Sequence, residues 1–154
     1  VTFQISSLPV EPFAPLFGLS NEALAAHGAV RMTVDHKPGF PCRIGLADAE
    51  PGETVLLLPY EHQSEATPFR AGGPIFVREG AAPARLAPSE IPPYLNRQLS
   101  VRAYDKDHMM VEAEVIDVSD LRGIIDRYWS NEVVDYLHVH YAKRGCYLCR
   151  IDRT

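Results

Sequence analysis

Apolar and polar residues alternate along several short stretches of the chain, and the period of two marks half-buried strands. Val30, Met32 and Val34 are separated by Arg31 and Thr33. From Gln98 to Tyr104, Leu99, Val101 and Ala103 fall on one face and Ser100, Arg102 and Tyr104 on the other. A second run, Met109 to Ile116, follows after Asp105-Lys106-Asp107-His108, a spacing and composition that predict a hairpin. Thr54 to Tyr60 is apolar without alternation, as expected of an interior strand. Phe3 to Ser6 and Pro74 to Glu79 read as further strands, with Glu61 to Gly73 as a loop before the second. The chain closes on a predicted hairpin, Val133 to Tyr141 against Cys146 to Asp152, turning through Ala142-Lys143-Arg144-Gly145.

A helical period occurs once with clarity. Leu121, Ile124, Ile125 and Tyr128 repeat at i, i+3, i+4 and i+7 with Arg122, Asp126 and Arg127 facing away, and Ser119 stands as the cap. A shorter helix follows Ser20, with Leu19 and Leu24 as a hydrophobic staple and Gly28 as its end. Thirteen prolines exceed the roughly eight of average usage, and four of them lie in Ala81 to Pro93, which predicts a surface loop serving as a lid or contact segment. Hairpin-ordered strands with few helices predict an α+β single domain over residues 1–154. Its sheet is mainly antiparallel, of about six to seven strands, with one amphipathic helix (about 119–129) and one or two short helices. A doubly wound fold would need more crossover helices than this chain supplies.

The 154 residues are 46% hydrophobic and 23% charged, the usage of a soluble globular protein. The net charge of -5 argues against an extended basic surface, so neither nucleic acid nor a membrane is expected as a partner. Val55-Leu56-Leu57-Leu58 is far short of the about 20 apolar residues that cross a bilayer. An odd number of cysteines, and no basic-then-apolar leader before Phe3, point to a cytoplasmic protein without a disulfide framework. Cys146 and Cys149 form a C-x-x-C on a predicted strand, where residues three apart face opposite ways about 10 Å apart, beyond disulfide reach.

His138 and His140, two apart on a strand, project from one face about 7 Å apart. With His62 they are the candidate catalytic or proton-transferring groups, since imidazole titrates nearest neutral pH. Arg78 and Arg102 share strand faces with Phe76 and with Ser100 and Tyr104, and a guanidinium so placed either meets an internal carboxylate or binds an external one. Arg70, next to Ala71-Gly72-Gly73-Pro74, sets a cation beside bare backbone. Arg78, Arg102, Arg70 and Tyr104 are therefore the candidate ligand-binding residues. No phosphate-loop, dinucleotide, nucleophile-elbow or H-E-x-x-H motif occurs, so cofactor, reaction and oligomeric state are left unassigned.

Several segments together carry a family resemblance: Pro41-Cys42-Arg43, Glu61-His62-Gln63, Gly73-Pro74-Ile75-Phe76-Val77-Arg78, Arg102-Ala103-Tyr104-Asp105, and His138-Val139-His140 with Gly145-Cys146. Through them the chain resembles the bacterial domain-of-unknown-function 1203 family. The resemblance implies a small, single-domain, intracellular protein with no assigned reaction, and groups these residues without supplying a mechanism.

Three functions fit these residues. The leading one is a pocket on one sheet face that binds a small anionic molecule, with Arg78 and Arg102 as charge partners and His62, His138 and His140 as hydrogen-bonding or catalytic groups. The second is a metal-binding protein in which His138, His140 and His62 are ligands. The third is a non-catalytic interaction module that docks a partner through the Ala81 to Pro93 loop and exposed strand edges.

Overall fold

The computed structural model describes residues 1–154, and its ten strands form two five-stranded sheets rather than one sheet of six or seven. The first sheet contains β1 (Phe3–Ser6), β7 (Gln98–Tyr104), β8 (Met110–Asp117), β9 (Tyr136–Tyr141) and β10 (Tyr147–Arg153), in the order β1-β10-β9-β7-β8 and antiparallel throughout. The second contains β2 (Val30–Thr33), β3 (Pro41–Cys42), β4 (Ala47–Asp48), β5 (Thr54–Gln63) and β6 (Ala71–Arg78), in the order β2-β5-β6-β3-β4. Its one parallel contact joins β3 and β6. The fold is α+β and mainly antiparallel, as the pattern predicted; part of the larger strand count comes from the two-residue strands β3 and β4, too short to show a period.

The helices are α1 (Ala14–Phe17), α2 (Asn21–Ala26) and α3 (Leu121–Trp129). No helix is long and apolar enough to cross a membrane. Ser20 caps α2 by accepting from the Ala23 amide, and Gly28 ends that turn at φ 68, a backbone region glycine enters without strain. Ser119 does not cap α3. A 3-10 turn over Val118–Asp120 precedes the helix and encloses Ser119, and Asp120 occupies the cap position without a side-chain bond. The apolar stripe Leu121, Ile124, Ile125 and Tyr128 packs with Leu99, Val101, Ala103, Leu137 and Val139, so α3 seals one face of the first sheet. Ser100, Arg102 and Tyr104 are thereby left on the opposite face.

The loop from Ala81 to Pro93 is fastened to its own fold. Ala84 N–H donates to the Ile44 carbonyl, Ser89 N–H to the Phe3 carbonyl, and Leu86 and Ile91 pack against the core of the first sheet. Its larger apolar side chains, Leu86 and Ile91, are turned inward.

Glu61 to Gly73 is not all loop. β5 runs on to Gln63 and β6 begins at Ala71, with a register irregularity between Tyr60 and Gln63. Gly72 makes the extension possible: a Cβ there would stand 2.8 Å from the Tyr60 carbonyl oxygen and 3.1 Å from the Glu61 Cα, whereas one on Gly73 would meet nothing within 4 Å. Gly72→Ala is therefore expected to lower unfolding free energy by about 1–3 kcal/mol in urea titration, the range of overpacked sites, while Gly73→Ala changes it by less than about 0.5 kcal/mol.

Candidate functional site

The register of β7 against β9 sets the site. Ser100 lies opposite His140, Arg102 opposite His138 and Tyr104 opposite Tyr136, so one face of the first sheet carries six polar or aromatic side chains in two adjacent rows. The extended end of β5 reaches this face. His62 comes edge-on to His140 with ring centroids 4.6 Å apart and to His138 at 6.0 Å, and the His138 and His140 rings are 6.3 Å apart. The irregularity in β5 lets the next residue reach over as well: Gln63 donates through Nε2 to the Tyr136 hydroxyl at 2.9 Å. The three histidines expected at the site are thus brought together.

Their nitrogens are unevenly used. His140 Nδ1 lies 2.8 Å from the Gly145 carbonyl; because a carbonyl only accepts, Nδ1 carries the proton of the neutral ring and Nε2 presents a lone pair. His140 Nε2, His138 Nδ1 and His62 Nε2 are buried and bond to nothing in the protein. An unpaired buried polar atom costs about 1–3 kcal/mol, so three together mark a place where ordinary packing has not been optimised. No set of three or more His, Cys, Asp or Glu side chains is arranged to hold a metal ion. The metal alternative on His138, His140 and His62 accordingly has the residues but not the ligand geometry.

Burial, first of all, pushes both His138 and His140 down to about 3, helped for His138 by the neighbouring imidazoles and for both by the Arg102 guanidinium. His62 is lowered for the same reasons, burial first and Arg102 next. Arg102 itself is half-buried. Its one bond is a long 3.4 Å donation to the Ser100 hydroxyl, and no carboxylate pairs with it.

The other expected ligand residues divide. Tyr104 is buried at the site, stacked on Tyr136 at 5.3 Å and 5.0 Å from His138. Arg78 is not at the site: it sits five residues along β6 from Gly73, roughly 17 Å away, and pairs with Glu53 at 3.3 Å. Arg70 pairs with Glu61 at 3.0 Å, both exposed. Each of these two has found the internal carboxylate that is the alternative fate of a strand-edge arginine.

Side chains not singled out from sequence complete the cluster. Tyr147 stacks on His62, with centroids 5.8 Å apart and an interplanar angle of 6°, and touches both other imidazole rings edge-on. Tyr136 lies under the Arg150 guanidinium at 4.0 Å and shares its hydroxyl with His108 Nδ1 at 2.8 Å. Tyr136 was legible, since it is two residues before His138 and hence on the same face. Tyr147 was not, because β10 is irregular between Tyr147 and Cys149: the slip turns Tyr147 to the imidazole side and Cys149 into the core. All three cysteines are free. A cavity of about 190 Å³ opens onto His62 and Tyr147, walled by Gly72, Gly73, Arg144 and Cys146.

The lowered imidazoles fix a pH dependence. Between pH 6.5 and about 3 the unfolded chain takes up protons that native His138 and His140 refuse, so stability is full above the unfolded value and is lost as pH falls through this window. The slope is roughly 1.4 kcal/mol per pH unit for each ring. Urea unfolding at pH 7, 6 and 5 should show the decline, and His138→Gln should flatten it by roughly a third to a half, since His140 and the lowered His62 remain; a variant as pH-sensitive as the parent would overturn the assignment to His138.

No curated protein and no solved structure matches the chain. Residues 39–153 match the family described as "Protein of unknown function (DUF1203)", a span that holds every side chain of the cluster and leaves out β1, α1, α2 and β2. With most of its length inside that match, the chain belongs to the DUF1203 family.

Proposed function

We propose that the protein binds a small anionic molecule at the imidazole cluster. The observation that carries this reading is an unpaired guanidinium, Arg102, on the same sheet face as His138 and His140, with His62 packed against them and a buried nitrogen of each ring without a partner. A guanidinium fork meets a carboxylate or phosphate in its own plane. The neutral rings add directional contacts. His140 Nε2 accepts from a hydroxyl or N–H of the ligand, because Nδ1 carries the ring's proton and donates it to the Gly145 carbonyl. In a catalytic form of this reading the same lone pair is the proton acceptor, and an anion bound beside it raises the basicity that burial and Arg102 have lowered.

Inorganic phosphate is the probe. Titration at pH 7, followed through the imidazole ring resonances, is expected to shift His62 first, as the ring that lines the open cavity. Arg102→Gln should weaken binding by about ten- to a hundredfold, the value of a hydrogen bond to a charged group, with little change in unfolding midpoint because Arg102 makes no ion pair in the folded chain. Arg78→Gln should leave affinity unchanged. If phosphate moves no imidazole resonance, or if Arg78→Gln and Arg102→Gln weaken binding equally, the reading falls.

A further inference from the structure

Beside the imidazole pocket lies a larger cleft of about 590 Å³, within the range of small-molecule sites. The two share Pro74, Arg144 and Cys146 in their walls and so lie side by side. Three arginines, Arg43, Arg97 and Arg144, line the cleft, and no aspartate or glutamate does. The rings of Phe40, Phe76 and Tyr141 line it as well. Phe40 and Phe76 pack against each other at 5.1 Å, and the Arg97 guanidinium lies over the Tyr141 ring at 5.7 Å.

Two of these three arginines, Arg43 and Arg144, have no carboxylate partner. Arg43 is only 1% exposed, yet it bonds neutral carbonyls alone: Nε donates to Tyr147 O at 2.7 Å and Nη1 to Pro41 O. Buried charges in proteins are ordinarily paired. The nearby Cys149 thiol cannot serve, because burial pushes it far up and keeps it neutral. Arg144 is exposed and has no carboxylate partner, while Arg97 gives one nitrogen, Nη2, to both oxygens of Asp48 and keeps its remaining N–H groups.

We propose that this cleft binds the body of an aromatic acid, its flat ring against the Phe40, Phe76 and Tyr141 wall and its carboxylate or phosphate on Arg144, Arg97 and the inner Arg43. The inference rests on the anion-binding reading above and narrows it from an anion to a class of molecule, one whose polar end also reaches past Cys146 toward His62. A ring is favoured over a flexible chain because the wall is built from side chains that gain most from offset or edge contacts with another ring, and because arginine stacks on planar groups. Arg43 also holds the backbone, so it is left intact in the test.

The experiment compares inorganic phosphate, phenyl phosphate and benzoate by isothermal titration calorimetry on the full chain, together with Arg144→Ala, Phe76→Leu and Arg102→Gln, each checked for an unchanged unfolding midpoint. Phenyl phosphate should bind at least about tenfold more tightly than phosphate, and Arg144→Ala and Phe76→Leu should each remove most of that gain. Benzoate binding as well as phenyl phosphate would identify the acid as a carboxylate; phenyl phosphate binding far better would identify a phosphate. If phosphate binds through Arg102 but the phenyl ring adds nothing, the cleft inference is overturned and the imidazole reading stands. If phenyl phosphate binds through Arg144 and Phe76 with no dependence on Arg102, the imidazole reading falls and takes with it the reach toward His62, leaving an aromatic-acid site confined to the cleft. Absence of binding by all three overturns both.

Discussion

The arrangement of the molecule turns on one buried guanidinium and the strand defect it serves. β10 slips its register between Tyr147 and Cys149, and a slip leaves backbone groups outside the ladder. The Tyr147 carbonyl accepts from Arg43 Nε and the Leu148 carbonyl from the Tyr94 hydroxyl, so both are satisfied by side chains. Arg43 follows β3 of the second sheet directly, and its bond to Tyr147 therefore ties the two sheets at the point where the imidazole cluster begins. Without a donor at this place the slip would strand a buried carbonyl, and a regular β10 would carry Tyr147 to the same face as Cys149, away from His62.

A second irregularity, in β5, is complementary to the first. There the strand would ordinarily alternate, sending His62 and Gln63 to opposite sides, but the break beyond Tyr60 lets both reach the first sheet. Gly72 permits it by letting the β6 backbone come against Tyr60. Two local departures from strand geometry, one in each sheet, thus bring together side chains from four strands. Irregular strands of this kind recur beside functional sites because they aim side chains that a regular pleat cannot.

What the sequence discloses and what it withholds follow from the same geometry. Wherever a strand is regular, period two is a sufficient guide: Ser100, Arg102 and Tyr104 do share a face, as do His138 and His140, and β7 begins and ends at the residues the pattern marks. The long helix is found by its apolar stripe, although its cap is not, since a 3-10 turn displaces Ser119. Residues at the slips are illegible, because an inserted residue inverts the parity on which the inference depends, and Tyr147 is lost for that reason. The division into two sheets is also hidden: strand pairing across large separations in the chain leaves no local mark. Arg78 and Arg102 look alike along the chain and differ only in what lies across from them. Thr54 follows Glu53 into the strand that pairs with β6, which hands Arg78 a carboxylate, whereas Ala113 stands opposite Arg102 on β8 and offers nothing.

This difference in neighbours gives the site its electrostatic character. The chain as a whole carries a net charge of -5, yet neither the cavity at His62 nor the larger cleft at Arg97 has an acidic side chain in its wall. The surplus acids are on other surfaces, such as Glu112 and Glu114 on the outer strand β8 and Glu132 beyond α3. An overall negative molecule repels anions at a distance beyond the Debye length only weakly, while a cationic concavity with low-dielectric walls concentrates its field at short range. Neutral imidazoles add hydrogen-bonding capacity there without adding charge, and their resistance to protonation keeps the balance constant across the neutral pH range. Under the proposed anion binding, selectivity depends on shape and on donor and acceptor placement, with charge setting only the sign of the ligand.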